Sequence, residues 1–294
     1  MPPFWVRAAV SVIVAAILVT FVPIGRVWSA IAGVNPWIWA ASVGIFAGGH
    51  SLNAMKLRLL IGAAAPAAAC LRAQFAGIAA NLGLPGVMGG DVVRAAYLAP
   101  AAGASRVAAA AVMDRLVDLT VLLLIVLVAS SQAGLPAAAG DGDSNRGWWI
   151  AVGAAIVAAL AVLGRRRLRR TAAWPRVREA FTAIFDRPAA IALALAISLG
   201  VQSTFVLTNV WLASQMGVRM ALAPWFLAWT AAKLGAVLPI SLGGIGVREA
   251  TLVSVLAAYG APADAVLATG LLWEGALVAG SLGGFIATQV AHRK

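Results

Sequence analysis

Ionisable residues inside apolar segments are the part of this sequence that could do chemistry. On membrane-insertion scales, an acidic or basic residue near the bilayer centre costs roughly 2.5–3.5 kcal/mol, so such residues are tolerated mainly where they face a partner or a cavity. The two signs occur in nearly equal numbers in these segments: Asp91, Arg94, Asp114, Arg115, Asp118, Lys233, Arg248, Glu249 and Glu274. Such a set could form ion pairs, bind an anion or couple a movement to an ion.

The spacing around Asp114 favours ion pairs on one helix face. Asp114 and Asp118 share a face of a helix because they are one turn apart, whereas Arg115 projects about 100° away. That face offers two carboxylates that could hold Arg94 or Arg248.

Glu274 and Lys233 are the residues that we expect to couple to an ion. Glu274 lies deep in the last apolar segment with no other charge near it in the sequence, and a carboxylate in that setting is a functional hypothesis by default.

Three further residues inside apolar segments favour a packing role. A residue such as His50, in the middle of an apolar segment, is more often a hydrogen-bonded packing residue than a proton relay. Trp229 and Trp273 also lie deep in their segments, which favours packing.

A motif that occurs twice provides the second chemical signal. Residues 84–94 read LPGVMGGDVVR and residues 238–248 read LPISLGGIGVR, a shared pattern of L-P, a Gly pair and V-R. The Gly pair allows close backbone approach, a helix start beside it directs free N–H groups at an anion, and the Arg can grip a phosphate with two hydrogen bonds. The candidate residues for lining a cavity, besides the charged ones, are Asn81, Pro85, Gly86, Gly89, Gly90, Pro239, Ser241, Gly243 and Gly244.

These residues also have purely structural interpretations. Arg94 and Arg248 could serve only as partners of nearby carboxylates, and Asp91 is as well suited to be a helix N-cap as to be a ligand.

The elements that position these residues must be membrane helices. The chain is 62% hydrophobic and only 11% charged, whereas about a quarter of the residues in soluble proteins are charged. We predict an all-α polytopic membrane protein with about six full spans, including spans at 4–22 and 148–164, and two re-entrant or broken helical segments. Irregular backbone at membrane depth is tolerated only where protein or a water-filled cavity surrounds it.

The predicted organisation is a single transmembrane domain, 1–294, with an inverted repeat. The first repeat is 27–131 with its broken segment at 72–100, and the second is 188–292 with its broken segment at 221–248. Counting spans places both termini and the basic segment 165–187 in the cytoplasm, as expected for arginines beside anionic lipid headgroups. Inverted repeats with discontinuous helices are typical of alternating-access transporters.

Composition and motifs argue against several other functions. Half of the net charge of +12 comes from the basic segment 165–187, which we interpret as a topology determinant facing anionic lipid, so we expect no nucleic-acid partner. Cys70 is the only cysteine, which excludes an intramolecular disulfide and a multi-cysteine metal site. No P-loop, HExxH or GxSxG is present, so we expect neither an enzyme nor a cofactor. An intramembrane transferase using Asp114 or Asp118 as a base is a minor alternative.

Three blocks of sequence resemble one known family. They are residues 81–94, which contain NLGLPG and GGDVVR, residues 114–119, which read DRLVDL, and residues 238–249, which read LPISLGGIGVRE. In this order they resemble the transmembrane region of lysylphosphatidylglycerol synthase/flippase proteins. The resemblance implies a multi-pass protein of the bacterial cytoplasmic (inner) membrane that moves a lipid between leaflets, with the blocks lining the headgroup cavity.

One departure from the family limits what the resemblance implies. Members that synthesise aminoacylated lipids carry a soluble aminoacyltransferase domain after the membrane region, whereas this chain ends at Lys294, so synthase activity is not expected. The leading hypothesis is a lipid flippase or transporter acting on an anionic or aminoacylated phospholipid or a lipid-linked sugar. The alternative is a non-transporting accessory of glycolipid, hopanoid or polyprenyl-linked lipid biosynthesis, with envelope-lipid enzymes as partners.

Overall fold

The computed structural model describes residues 24–62, 64–83, 88–134, 174–237 and 246–291, and these ranges contain helices and no strand. The predicted all-α class is therefore confirmed for this part of the chain. The helices are α1 Ile24–Ala32, α2 Pro36–Ile61, α3 Ala67–Gly83, α4 Met88–Ala102, α5 Ala104–Gln132, α6 Trp174–Phe185, α7 Pro188–Ser214, α8 Leu222–Val237, α9 Val247–Ala258 and α10 Ala263–Val290.

Local sequence explains where α2 begins and ends. Pro36 occupies the first turn, where its missing N–H costs nothing, and the side chain of Asn35 accepts a hydrogen bond from the Trp37 N–H at 2.9 Å. The helix stops at Gly62, whose φ of 80° is left-handed. Arg187 then donates to the carbonyls of Leu59 and Leu60, both at 3.1 Å, which satisfies the last turn.

Two helices in the described residues are long and apolar enough to cross a membrane, namely α7 and α10. A third span results if α1 and α2, which are bent by 86° at their junction, form one broken span. The predicted spans 4–22 and 148–164 lie outside the described residues, so the number of about six full spans stays a prediction.

Eight of the helices form two groups of four with matching lengths. α2 to α5 have 26, 17, 15 and 29 residues, and α7 to α10 have 27, 16, 12 and 28. In each group the two short helices, which we call a hairpin, pack against each other and are joined in the sequence by the repeated motif. The contacts between groups also correspond, because α3 packs on α10 and α8 packs on α5. The second group lies within the predicted repeat 188–292, whereas the first ends at Gln132, one residue beyond the predicted repeat 27–131. The inverted relation of the two repeats stays a prediction.

The groups meet at α2 and α7, which approach closely at a glycine. A Cβ at Gly49 of α2 would lie 2.5 Å from Phe205 Cε1 of α7, and one at Gly280 of α10 would lie 2.5 Å from Phe46 Cδ1. Trp229 and Trp273 pack around these phenyl rings and are 3% and 2% exposed. Their predicted packing role is confirmed.

The basic segment is described only in part. Its residues 165–173 lie outside the described residues, and the rest begins with α6, which packs on α5. Ile184 of α6 is buried, whereas Phe185 is exposed.

Candidate functional site

Six charged side chains from three helices form what we call the first cluster. α2 contributes one cation, α4 an acid and a base, and α5 two acids and a base. The members are Lys56, Asp91, Arg94, Asp114, Arg115 and Asp118. Three positive and three negative groups balance, so the cluster as a whole carries no formal charge.

Lys56 is the centre of the first cluster, and sequence reasoning missed it. It is 0% exposed. Its Nζ lies 3.0 Å from Asp114 Oδ1 and 2.5 Å from Asp118 Oδ1. The face of α5 that carries both carboxylates turns toward α2, and these carboxylates compensate the buried ammonium. In the sequence, the one-turn spacing of Asp114 and Asp118 was the only feature that indicated a shared cation.

Arg94 joins the α3–α4 hairpin to α5. Its Nη2 donates to Asp114 Oδ2 at 3.0 Å, and its Nη1 lies 3.7 Å from Asp91 Oδ1. Asp91 in turn accepts two hydrogen bonds from Arg115, at 3.0 and 2.6 Å. Asp91 lies within the first turn of α4, which begins at Met88, so the N-cap interpretation is wrong. Its carboxylate acts as an ion-pair partner instead.

The hairpin itself is held by Asn81 and two glycines. Asn81 Oδ1 accepts from the Gly90 N–H at 2.6 Å, next to Gly89 in the first turn of α4. A Cβ at Gly77 would lie 2.7 Å from the Gly90 carbonyl oxygen and 2.6 Å from Arg94 Cγ. Close backbone approach was expected of the Gly pair, and Gly90 uses it to pack α4 on α3.

The second cluster consists of Arg248, Glu249 and Glu274. Arg248 donates to Glu249 Oε1 at 3.1 and 2.8 Å, and its Nη2 also donates to Glu274 on α10. Glu249 Oε2 accepts from the Gly246 N–H at 2.7 Å, which caps α9. One positive and two negative groups leave this cluster with a formal charge of −1.

The two clusters repeat one relationship. In each, the motif arginine of the short hairpin reaches a carboxylate on the following long helix, Asp114 on α5 or Glu274 on α10. Glu274 is isolated in sequence but not in space, because the fold brings Arg248 to it. Arg248 does not join Asp114 and Asp118, which was one of the arrangements that the spacing allowed.

Lys233 lies on α8, outside both clusters. Its Nζ is 5.5 Å from the centroid of the Trp229 ring, a distance typical of a cation–π contact. Trp229 is itself fixed by a hydrogen bond of 3.1 Å from its Nε1 to Gln202 Oε1.

The sequence of the chain was also compared with known proteins. The family model described as "Lysylphosphatidylglycerol synthase TM region" matches residues 4–283. The chain belongs to this family. No curated protein and no solved structure matches it. Membership of the lysylphosphatidylglycerol synthase transmembrane family, with the apolar helices α7 and α10, identifies a membrane protein and points to a lipid-related function.

Six residues of the two motifs lie outside the described residues. They are Pro85, Gly86, Pro239, Ser241, Gly243 and Gly244. Within the described ranges, no group of three His, Cys, Asp or Glu side chains is arranged to hold a metal ion.

His50 lies beside the clusters but is held by packing. Its Nδ1 is 3.0 Å from Gln74 Nε2, and its ring packs against Phe46 and Phe205 with centroids 4.3 and 5.6 Å away. This is the hydrogen-bonded packing environment that we favoured over a proton relay.

Proposed function

We propose that the protein is a lipid flippase or transporter that moves a phospholipid or a lipid-linked headgroup between the leaflets of the bacterial cytoplasmic membrane. The observation that carries this proposal is the repeated contact of a hairpin arginine with a carboxylate on a long helix, Arg94 with Asp114 and Arg248 with Glu274. Membership of the family supports the same class of substrate.

The short helices argue that each hairpin enters and leaves the membrane on one side. Helices of 17, 15, 16 and 12 residues are about 25, 22, 24 and 18 Å long, whereas the hydrocarbon core is roughly 30 Å thick. In the proposed arrangement none of these four helices crosses the membrane by itself. In the proposed arrangement the two hairpins enter from opposite sides, as in transporters built from inverted repeats.

The clusters would act as latches in this mechanism. Arg94 and Arg248 hold their hairpins to α5 and α10 through carboxylates, while Asp118 and Glu249 keep the supporting side chains in place. A headgroup phosphate competes with a carboxylate for the arginine, which releases one hairpin at a time. The lipid then has different contacts in the two states, as a shift between them requires. Because Glu274 belongs to one latch, it also remains the residue that we propose for ion coupling.

The test is lipid movement in proteoliposomes. Fluorescent anionic and zwitterionic phospholipids are incorporated, and the fraction accessible to an external quencher is followed with time. We expect wild type to move at least one of them faster than empty liposomes. The double variant Arg94→Gln/Asp114→Asn removes a latch without leaving an unpaired charge, so we expect it to fold and to lose most of the transport.

A matched control uses exposed residues of the same types. Arg219→Gln/Asp186→Asn changes the same charges outside both clusters, and we expect wild-type rates from it. If the Arg94/Asp114 variant also transports at the wild-type rate, the pair is purely structural and the latch mechanism is wrong. If wild type moves none of the lipids, the accessory function becomes the better explanation.

A further inference from the structure

Lys233 is a cation for which the described part of the chain supplies no carboxylate within 4 Å. It is half-buried on a helix rich in apolar residues, and its ammonium contacts the face of Trp229. An ionisable side chain in that setting is expensive and normally serves a function.

The buried cations of the two clusters are already neutralised. Lys56 has two carboxylate partners, Arg94 has Asp114, and Arg248 has two glutamates. An anion that entered between the hairpins would have to displace a carboxylate from any of these three. At Lys233 it would displace none, so the phosphate can bind there first and compete with a carboxylate for Arg94 or Arg248 afterwards.

Lys233 lies on a helix that contacts both groups. This helix, α8, pairs with α9 of its own group and packs against α5 of the other group. Because α5 carries acids of the first cluster and α9 carries Arg248 and Glu249 of the second, α8 lies between helices of the two latches.

We infer that Lys233 binds the phosphate of the transported lipid, between the two clusters. The inference rests on the proposed function and assigns its substrate contact. Lysine carries a compact charge that suits a phosphate oxygen. A lipid phosphate also carries acyl chains, which can pack against the apolar residues of α8. Trp229, held by Gln202, keeps the ammonium in place through its ring.

The experiment measures binding separately from transport. The purified full-length chain is titrated with dioctanoyl phosphatidylglycerol, with dioctanoylglycerol, which has the same chains and no phosphate, and with glycerol phosphate, which has no chains. Binding is read by native mass spectrometry for wild type, Lys233→Met, Lys233→Arg and Arg219→Met. Arg219→Met is the control because it removes one exposed charge elsewhere.

We expect Lys233→Met to weaken binding of phosphatidylglycerol roughly tenfold to hundredfold, the usual loss for a charge-assisted contact. Binding of dioctanoylglycerol should not change. Lys233→Arg should retain most of the affinity, and Arg219→Met should match wild type. Thermal unfolding of each variant establishes that the fold is kept.

Three results would overturn the inference. They are unchanged phosphatidylglycerol binding by Lys233→Met, an equal loss for both lipids, which indicates a structural role, and glycerol phosphate binding as tightly as the lipid, which indicates a soluble anion. Failure of the proposed function looks different. In that case wild type binds the phosphate-bearing lipid through Lys233 but moves no lipid in proteoliposomes.

Discussion

Lys56 and Asp118 form an ion pair of 2.5 Å, although they lie on different helices and 62 positions apart in the chain. Asp118 Oδ1 also accepts a hydrogen bond of 2.6 Å from Ser198 Oγ on α7. A single carboxylate thus joins two helices of the first group to one helix of the second. The cation that holds this carboxylate, Lys56, was not among the candidate residues of the sequence.

Replacing Lys56 with Met should destabilise the protein strongly. The change leaves Asp118 without a cation and Asp114 with Arg94 alone, and breaking a buried pair typically costs about 3–5 kcal/mol. We expect a large fall in the denaturation midpoint measured in detergent micelles. Arg106→Met, which removes an exposed cation from α5, should change stability by less than about 0.5 kcal/mol.

Neutralising the stranded acid should recover part of that loss. Lys56→Met/Asp118→Asn keeps a side chain that can accept from Ser198 and removes the unpaired charge. A double variant no more stable than Lys56→Met alone would show that the lysine acts through packing rather than charge.

Arg94 and Asp114 should be energetically coupled. A double-mutant cycle with Arg94→Gln and Asp114→Asn should give an interaction free energy of about 1–3 kcal/mol, because the two groups are in contact and buried. Arg94→Gln combined with Glu274→Gln should be additive within about 0.5 kcal/mol, since these residues belong to different clusters. Additivity in the first cycle would mean that the arginine holds the hairpin by other means.

Gly90→Ala should weaken the α3–α4 hairpin. A Cβ at Gly90 would lie 2.6 Å from the side-chain atoms of Asn81, and such overpacking typically costs about 1–3 kcal/mol. Gly48→Ala is the matched control, because a Cβ there meets nothing within 4 Å and alanine favours a helix by about 0.5–1 kcal/mol. The check is thermal unfolding of both variants, and equal midpoints would contradict the close approach.

Glu249→Ala should destabilise the protein more than Glu274→Ala does. Glu249 holds Arg248 and also caps α9 through Gly246, and loss of a cap alone costs about 0.5–2 kcal/mol. Glu274→Ala leaves Arg248 paired with Glu249. If Glu274 couples transport to an ion, this variant should unfold near the wild-type midpoint yet lose transport. If Glu274→Ala still transports lipid when an ion gradient is applied, Glu274 does not couple transport to that ion.

Much of the helical framework follows from the sequence. The apolar composition of α7 and α10 is that of a membrane span, and Asn35 with Pro36 accounts for the start of α2. The proline and glycine pairs predicted breaks between short helices at both motifs. These features were accessible because capping, chain breaks and hydropathy depend on neighbouring residues.

The sequence by itself determined the membrane class, the family and every charged member of the two clusters except Lys56. Tertiary structure alone decided the pairing: Lys56 became the centre of the first cluster, Glu274 became the partner of Arg248, and Lys233 has no carboxylate within 4 Å among the described residues. The physical reason is that an ion pair depends on distances of a few ångströms between side chains on different helices. Those distances are set by how the helices pack and not by the spacing of residues along the chain.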